Sequence, residues 1–537
     1  MSDNHGMRLH AFARRARAEI AANAVPALAV ASAAVLPFLP FVLHVGSEGQ
    51  RSLSGGALMV AAGAVLLALL SRLASLALAL VYLPLTLLSV HLVRHYSAGQ
   101  HGWRLNQVDS RVEAYFESPS SETFEYLRSQ GWPSDWVLVG AAVLYLVALA
   151  WLLRRMPPLT TAARWAVVAA TAAWAVIAVQ QRIDRHLPQW PQYQLALAAI
   201  EARPRFAQLA ERNVYLEANP LPPAECGARY RHIVVVLGES ANSDHMSVFG
   251  YRRKTTPFAE RSSPHAFLAL APANQTRYSL AMMLTAVRPG EFAPFYRLHS
   301  LVGRLAACGY RTLWISNQGR VGRQDSMAAS LAREADRHLF LNELSYKQVG
   351  HDGEILQALE NLGAFEAERQ ATFIHLIGSH MQYARRFPAR FGFRPILDTV
   401  DAYDNSILYT DHVLAELHER FGPEGLLLVY AADHGEVVAN RGFGHGFSPG
   451  FQEEYRVPLL IWTEDTASMG RLKAAVGNAR LNLASFDDVM LYLAGSTESP
   501  AVSTSGVVTN LGPANRVNYH ALPSAQRPAS ESRKSQR

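Results

Sequence analysis

Long uncharged apolar runs in the first third of the chain constrain its fold more than any other feature. Residues 25–46 carry no Asp, Glu, Lys or Arg, and residues 55–93 carry one charged residue, Arg72. A helix of about 20 apolar residues crosses a bilayer, so these runs predict one span followed by two spans joined at Arg72. Two further spans are predicted at 136–153 and 165–181. The sequence therefore predicts a membrane domain of about five helices.

The distribution of arginines predicts the orientation of this membrane domain. Seven arginines lie before the first span or between the fourth and fifth spans: Arg8, Arg14, Arg15, Arg17, Arg154, Arg155 and Arg164. Because Lys and Arg concentrate in cytoplasmic loops, these segments are predicted to be cytoplasmic and everything after the fifth span to lie outside. Arg182 and Arg185 oppose this rule but are outnumbered.

Two segments are predicted to contact the membrane surface. The external loop 94–135 is rich in Tyr, Phe and Trp. This composition suits either anchoring in the headgroup layer or direct contact with a lipid substrate. The segment 191–216 has an amphipathic pattern and is predicted to lie along the surface as a bridge to the second half.

Composition excludes two classes of protein. The net charge of +6 comes partly from the arginines at the N-terminus and the basic tail, and no basic stripe with interleaved aromatic residues is present. Nucleic acid is therefore excluded as a partner on this pattern. With Cys226 and Cys308 as its two cysteines, the chain cannot be a disulfide scaffold. It can form at most one bridge, and the sequence leaves open whether it does.

The second half has the pattern of an α/β domain. Short β-rich runs alternate with helical stretches, and the runs are HIVVVLGE, RTLWISN, TFIHLIG, LLLVYAADHG and VPLLIW. Continuous apolar strands separated by helices predict a mostly parallel sheet covered on both faces. The predicted organisation is a membrane domain at 1–182, a bridging linker at 183–230, a globular domain at 231–515 and a disordered tail at 516–537.

Polar residues recur where the predicted strands end. The first strand leads to Glu239, the third run leads to His380, and the fourth leads to Asp433 and His434. Because functional groups gather at the carboxyl ends of parallel strands, this repetition predicts one shared site. A carboxylate together with an Asp-His pair provides the oxygen and nitrogen ligands that suit Zn²⁺.

The proposed site also requires a nucleophile. Thr276 precedes an apolar helical run, so it is predicted near a helix N-terminus, where free amides and the helix dipole favour a phosphate anion. An ordinary N-cap is the alternative role for Thr276, and the two roles are compatible.

Six sequence blocks, in order, resemble a known family. They are VVVLGESANSDHMSVFGYRRKTTP, NQTRYSLAMML, HLIGSHMQYARRFP, AYDNSILYTDHVL, YAADHGE and HGFSPGFQEEYRVPLLIW. They resemble the motifs of bacterial inner-membrane phosphoethanolamine transferases of the alkaline phosphatase and sulfatase superfamily. The resemblance implies a multi-span inner-membrane protein whose catalytic domain lies in the periplasm.

The resemblance also implies residue roles. It assigns Glu239, Thr276, Asp433 and His434 to a zinc site, with Thr276 as the nucleophile. It further assigns contacts with the phosphoryl group to His380 and His445. Ser240 and Ser279 are rival nucleophiles, but Thr276 matches the family position. His245 is interpreted as structural or as support for the site.

By this resemblance, phosphoethanolamine is transferred from phosphatidylethanolamine to a glycolipid or glycan of the cell envelope through a covalent threonine intermediate. A phosphoglycerol transferase on the same scaffold and an inactive membrane sensor or scaffold are the alternatives. Two cysteines cannot form the several disulfides of many lipid A-modifying members, and Phe486 stands where relatives often have His. The acceptor, the number of metal ions and the oligomeric state stay open.

Overall fold

The computed structural model describes residues 207–525 with short gaps. The gaps are 228, 320–325, 343–349, 367, 393–395, 397, 440–441, 448–449, 498 and 511. Arg14 and scattered helical positions between Gly140 and Val176 are also described. The chain divides into two compact units, of which one comprises 1–112 and 130–200 and the other comprises 113–129 and 201–537.

The predicted membrane spans fall largely outside the described residues. None of the residues in 25–46 and 55–93 is described, and 136–153 and 165–181 are described only at isolated helical positions. Among the described residues, no helix combines the length and apolar character needed to cross a membrane.

An eight-stranded sheet forms the centre of the second unit. The strands of the domain are β1 His232–Gly238, β2 His265–Leu270, β3 Arg311–Gly319, β4 Arg337–Asn342, β5 Gln370–His375, β6 Leu426–Ala432, β7 Val437–Ala439, β8 Gly442–Gly444, β9 Arg456–Trp462, β10 Leu481–Asn482, β11 Val507–Thr509 and β12 Arg516–Asn518. The sheet order is β10-β2-β9-β6-β1-β5-β3-β4, and β9 is antiparallel to its neighbours β2 and β6. The prediction of a mostly parallel sheet is therefore confirmed.

Helices of six to 23 residues connect the strands. They are α1 Pro257–Ser262, α2 Thr276–Leu284, α3 Leu301–Ala307, α4 Met327–Ala332, α5 Glu354–Asn361, α6 Thr399–Phe421, α7 Thr466–Val476 and α8 Phe486–Leu493. Every residue of β1 and β6 is buried, as expected for central strands covered on both faces. The central position of β1 and β6 in the sheet brings their carboxyl ends side by side.

Residues 516–525 are ordered, so the predicted boundary of a disordered tail at 516 is wrong. Strand β12 pairs with β11, and Tyr519 and Leu522 are buried in a small apolar cluster with Tyr455. The last 20 residues are mostly basic and polar, so their composition did not indicate that these two apolar residues are buried. The residues after 525 lie outside the described part.

A helix at residues 207–218 precedes the sheet and packs against the domain. Leu209, Arg212 and Leu216 lie on one face and are buried. The described part of the predicted amphipathic segment 191–216 is thus helical, and its buried face packs against the domain. This part of the predicted linker 183–230 belongs structurally to the globular domain.

Arg212 joins this helix to the domain. Its guanidinium donates to the carbonyl oxygens of Phe295, Leu298 and Ser330 at 3.0–3.2 Å. It also donates to Glu334 Oε1 at 2.6 Å. A buried charge is tolerated only when it is paired and hydrogen-bonded, and Arg212 satisfies both conditions.

Cys226 and Cys308 form a disulfide. The bridge connects the segment before β1 to the end of α3, across 82 residues of sequence. Closing a loop of this length restricts the unfolded chain and stabilises the folded state by about 4 kcal/mol in the chain-entropy model.

Arg212→Ala is expected to reduce the free energy of unfolding by about 3–5 kcal/mol, because it leaves Glu334 and several carbonyl groups buried without their partner. Arg297→Ala is the matched control. Arg297 is an exposed neighbour that stacks on Tyr215, so its loss is expected to cost less than about 1 kcal/mol. Denaturant unfolding of the purified protein measures both values, and equal losses would contradict the anchoring role of Arg212.

Reduction of the disulfide is expected to lower stability by about 2–4 kcal/mol. The measurement is the thermal midpoint with and without dithiothreitol. A Cys226→Ala/Cys308→Ala variant should start from the lower midpoint and should not respond to the reductant. A response of the double variant equal to that of the native protein would show that the reductant acts elsewhere.

Candidate active site

The side chains of the candidate site lie at the carboxyl edge of the sheet. Glu239 directly follows β1, and Asp433 and His434 directly follow β6. Thr276 is the first residue of α2, which follows β2 after a short loop. The three segments belong to strands that run in the same direction, so their ends meet at one edge.

Contacts around His434 Nε2 bring these four predicted residues together. Thr276 Oγ1 lies 3.2 Å from Glu239 Oε2 and 3.2 Å from His434 Nε2. His434 Nε2 lies 3.3 Å from Glu239 Oε1 and 3.4 Å from Asp433 Oδ2. Glu239, Asp433 and His434 are each at most 1% exposed.

The backbone after β1 is held in an unusual conformation at this site. Ser240 has a φ of 57°, a value that non-glycine residues seldom adopt and that often marks a functional position. Tyr403 Oη donates to the carbonyl oxygen of Ser240 at 2.7 Å, and the amide of Ser240 donates to Asp433 Oδ1 at 3.2 Å. These bonds turn the Glu239 side chain towards Asp433 and His434.

A glycine allows a second loop to approach Glu239. Gly378 has a φ of 50°, and a Cβ atom there would lie 2.8 Å from the carbonyl oxygen of Glu239. The amide of Ser379 donates to the same carbonyl oxygen at 3.0 Å. Backbone on both sides therefore fixes the position of Glu239.

Hydrogen bonding defines the tautomer of His434. Its Nδ1 lies 2.9 Å from the carbonyl oxygen of Gly435, which can only accept, so Nδ1 carries the proton. Nε2 then directs its lone pair towards Glu239, Asp433 and Thr276 when the ring is neutral. Nitrogen ligands of metal ions commonly have this arrangement.

The site holds more negative charge than one imidazole can balance. Burial opposes ionisation of both carboxyl groups, but the positive charge of nearby His434 lowers the pKa of Glu239 well below its usual value. For Asp433, burial and repulsion from Glu239 raise the pKa. The two carboxylates together raise the pKa of His434 despite its burial. Asp433 Oδ2 makes no hydrogen bond to any described residue.

The rival hydroxyl groups each donate a hydrogen bond to one other residue of the site. Ser279 Oγ donates a short hydrogen bond to the carbonyl oxygen of Asp433. Ser240 Oγ donates to Glu239 Oε1 at 2.7 Å. Of the three predicted hydroxyl groups, only that of Thr276 contacts both Glu239 and His434 at the helix N-terminus.

His445 and a buried glutamate form an adjoining pair. His445 Nδ1 lies 2.8 Å from Glu436 Oε2, and Tyr383 Oη donates a short hydrogen bond to Glu436 Oε1. Burial raises the pKa of Glu436 to about 8. The ring of His445 lies 4.0 Å from that of His434, measured between centroids, so His445 borders the site.

His380 also borders the site, although not at the tip of a strand. Strand β5 ends at His375, and His380 follows in the loop that contains Gly378. Its ring lies 6.3 Å from that of His445. Burial lowers the pKa of His380 to about 4, so the ring is neutral near pH 7.

Two other residues named from the sequence lie in different surroundings. His245 Nδ1 lies 2.8 Å from Asp404 Oδ1, and Arg253 donates to Asp404 Oδ2, which together form a structural cluster. Phe486 is fully buried in the apolar core at the start of α8.

Sequence reasoning missed Gln318 and Glu436. Gln318 Nε2 donates to Glu239 Oε2 at 3.1 Å. Gln318 lies at the end of β3, so the rule that selected Glu239 and Asp433 could have identified it. Glu436 lies within the YAADHGE block, but no local pattern shows that it contacts His445.

The described domain matches a known family model. Residues 231–490 match the model described as Sulfatase. The phosphoethanolamine transferase EptC of Escherichia coli (strain K12) is 28% identical over 281 residues. That match covers 46% of this chain and 48% of the relative, so it spans about half of the relative's length.

Two solved structures share the fold. The C-terminal periplasmic domain of Escherichia coli EptC, solved in complex with Zn, is 24% identical with a TM-score of 0.50, covering 57% of this chain and 98% of that domain. The integral membrane lipooligosaccharide phosphoethanolamine transferase A from Neisseria meningitidis is 17% identical with a TM-score of 0.57, covering 88% of this chain and 95% of that protein.

The match of residues 231–490, the curated relative and the shared fold agree with one another. Residues 231–490 form a domain of the Sulfatase family, and the curated relative to which this chain is similar is a phosphoethanolamine transferase.

Proposed function

We propose that this protein transfers phosphoethanolamine from phosphatidylethanolamine to a glycolipid or glycan of the bacterial envelope, with Thr276 as the covalent carrier. One observation carries the proposal. Thr276 Oγ1, at the N-terminus of α2, lies 3.2 Å from both Glu239 Oε2 and His434 Nε2. A hydroxyl with a carboxylate and an imidazole at hydrogen-bond distance is a typical activated nucleophile.

The same residues fit a divalent metal ion. In a tetrahedral site with bonds of about 2.0 Å, neighbouring ligand atoms are about 3.3 Å apart. The atoms around His434 Nε2 lie at 3.2–3.4 Å from it. The unbonded Asp433 Oδ2 and the excess of carboxylate charge favour a cation here.

We assign Glu239, Thr276, Asp433 and His434 as the residues that would hold this ion. One imidazole nitrogen with carboxylate and hydroxyl oxygens suits Zn²⁺, and the periplasmic domain of the Escherichia coli relative binds Zn. When bound, such an ion acts as a Lewis acid and lowers the pKa of a hydroxyl group.

The residues of the chain support a two-step transfer. Thr276 Oγ1 forms a bond to the phosphorus of the donor and gives its proton to Glu239 Oε2, while the bond from phosphorus to the diacylglycerol oxygen breaks and that oxygen takes a proton from solvent. An acceptor hydroxyl or phosphate then attacks the phosphorus and loses its proton to solvent, and the bond to Thr276 Oγ1 breaks as Thr276 takes its proton back from Glu239. The amides at the N-terminus of α2 favour the negative charge of the phosphoryl group.

His380 and His445 are proposed to contact the phosphoryl oxygens or to transfer protons. A neutral imidazole can donate from one nitrogen and accept at the other. His380 remains neutral near pH 7 because of its burial, and Glu436 orients His445 through Nδ1. Both residues are placed for these roles, since the ring of His445 lies 4.0 Å from that of His434 and the ring of His380 lies 6.3 Å from that of His445.

The proposed substrates and two observations support a membrane location. At described helical positions between 140 and 176, Leu144, Val147 and Trp165 are 62–72% exposed, as expected for side chains that face lipid. The Cys226–Cys308 disulfide favours an oxidising compartment such as the periplasm. We therefore propose a multi-pass inner-membrane protein with a membrane domain at 1–182, a linker from 183 to the helix at 207–218, and a catalytic domain in the periplasm that includes this helix and extends to residue 525. Tethering would confine the site to the layer that contains its amphiphilic substrates.

Incubation with phosphatidylethanolamine is expected to leave a phosphoethanolamine adduct on Thr276, because the first step precedes acceptor attack. Intact-protein and peptide mass spectrometry would detect the adduct. A parallel incubation with phosphatidylglycerol should give no adduct. A phosphoglycerol adduct would favour the alternative transferase, and the absence of any adduct would favour an inactive sensor or scaffold.

Thr276→Ala should remove the adduct and reduce transfer by at least about 100-fold. Ser279→Ala is the matched control, since it removes a hydroxyl from the same helix but leaves Thr276 in place. Full transfer by Thr276→Ala, or an adduct at Ser279 in the native protein, would refute the assignment of the nucleophile.

Removal of metal is expected to abolish adduct formation, and Zn²⁺ should restore it. His434→Ala should lower the Zn²⁺ content of the purified protein, measured by elemental analysis, because it removes a buried nitrogen ligand. His520→Ala, at an exposed histidine far along the chain, is the control and should retain the metal. Equal Zn²⁺ content in the two variants would contradict the assigned site.

A further inference from the structure

The carboxyl end of β3 also reaches the site, although the proposed function assigns nothing to it. Asn317 and Gln318 lie near this end, and β3 is adjacent to β5, which pairs with β1. Their side chains contact Glu239 and the loop after β5. The strand therefore contributes to the site through side chains that carry no charge.

Gln318 bridges Glu239 and a backbone carbonyl. Its Nε2 donates to Glu239 Oε2 at 3.1 Å and to the carbonyl oxygen of Leu376 at 2.9 Å. A carboxylate and a carbonyl can only accept, so the atom between them must be the amide nitrogen. The orientation of the Gln318 amide is thus determined by its two partners.

The loop that receives the second bond is itself held in place. Asp352 is buried and accepts from the amides of Ile377 and Gly378, each at 2.9 Å. Asn317 Nδ2 donates to Asp352 Oδ1 at 2.8 Å. Leu376 is therefore a fixed point, and Gln318 connects Glu239 to it.

The two oxygens of Glu239 face different partners. Oε2 accepts from Thr276 and Gln318, whereas Oε1 accepts from Ser240 and lies 3.3 Å from His434 Nε2. Rotation of the carboxylate about its last bond would exchange these roles. The bond from Gln318 opposes that rotation because it holds one oxygen on the β3 side.

We propose that Gln318 is a positioning residue that sets the orientation of the Glu239 carboxylate, so that Oε1 faces His434 and Oε2 faces Thr276. This inference rests on the proposed function, because it concerns the same metal site. A neutral amide suits the role, since it donates a hydrogen bond without adding a positive charge that would compete with the cation. Supporting hydrogen bonds of this kind typically change metal affinity by about 10–100-fold.

The test compares Gln318→Leu with Gln370→Leu in the full-length protein. Gln370 is a buried glutamine on the neighbouring strand that also donates to a side chain and a carbonyl oxygen. It pairs with Arg311 at the opposite end of β3. Arg311 is seven residues from Gln318 along the strand, or roughly 23 Å at about 3.3 Å per residue. Zn²⁺ affinity is measured by competition with a chelator, and stability by thermal unfolding of the metal-free protein.

Gln318→Leu is expected to raise the Zn²⁺ dissociation constant about 10–100-fold, and Gln370→Leu less than about threefold. The metal-free unfolding midpoints of the two variants should fall by similar amounts. If Gln318→Leu does not fold, Gln318→Asn carries the same expectation, because its amide is one methylene too short to reach both oxygens.

An unchanged Zn²⁺ affinity in a folded Gln318 variant would overturn the inference while leaving the metal site intact. Failure of the native protein to bind Zn²⁺ would instead overturn the proposed metal site, and the inference with it. The two failures are therefore distinguishable in one experiment.

Discussion

The site depends on two buried carboxylates that face one imidazole. Glu239 and Asp433 are at most 1% exposed, and both approach His434 Nε2 within 3.4 Å. Burial of two negative charges opposite a single base is unfavourable without a further positive charge. This imbalance explains the opposite pKa directions of the two acids and the raised pKa of His434. It also makes the pocket suitable for a divalent cation.

Much of the surrounding structure holds these groups in position. The left-handed backbone at Ser240 is stabilised by Tyr403, and Gly378 allows a second loop to lie against Glu239. These features are unfavourable by themselves, since non-glycine residues rarely adopt a positive φ. The buried sheet provides the rigid support they need, because its strands place the loop ends within a few ångströms of one another.

Much of the fold and of the site could be predicted from the sequence. The five apolar runs correspond to β1, β3, β5, β6 and β9, because continuous burial on both faces leaves a simple pattern. The end of the ordered domain was misplaced, since Tyr519 and Leu522 are isolated apolar residues in a polar segment. His380 was expected at a strand end but lies in a loop five residues later, because local composition does not define where pairing stops.

The sequence by itself determined the α/β class, because strand periodicity is a local property, and it pointed to Glu239, Asp433 and His434 as polar residues that follow predicted strands. The assignment of Thr276 to the same site came from the family resemblance. Only the tertiary structure decided that these side chains contact one another, that Cys226 bonds to Cys308, and that Gln318 holds Glu239. The contacts of Thr276 with Glu239 and His434 join residues 37 and 158 positions apart in the sequence. The contact of Gln318 with Glu239 joins residues 79 positions apart, and the disulfide joins residues 82 positions apart. Contacts at such separations follow from strand order and register, which no short stretch of sequence encodes.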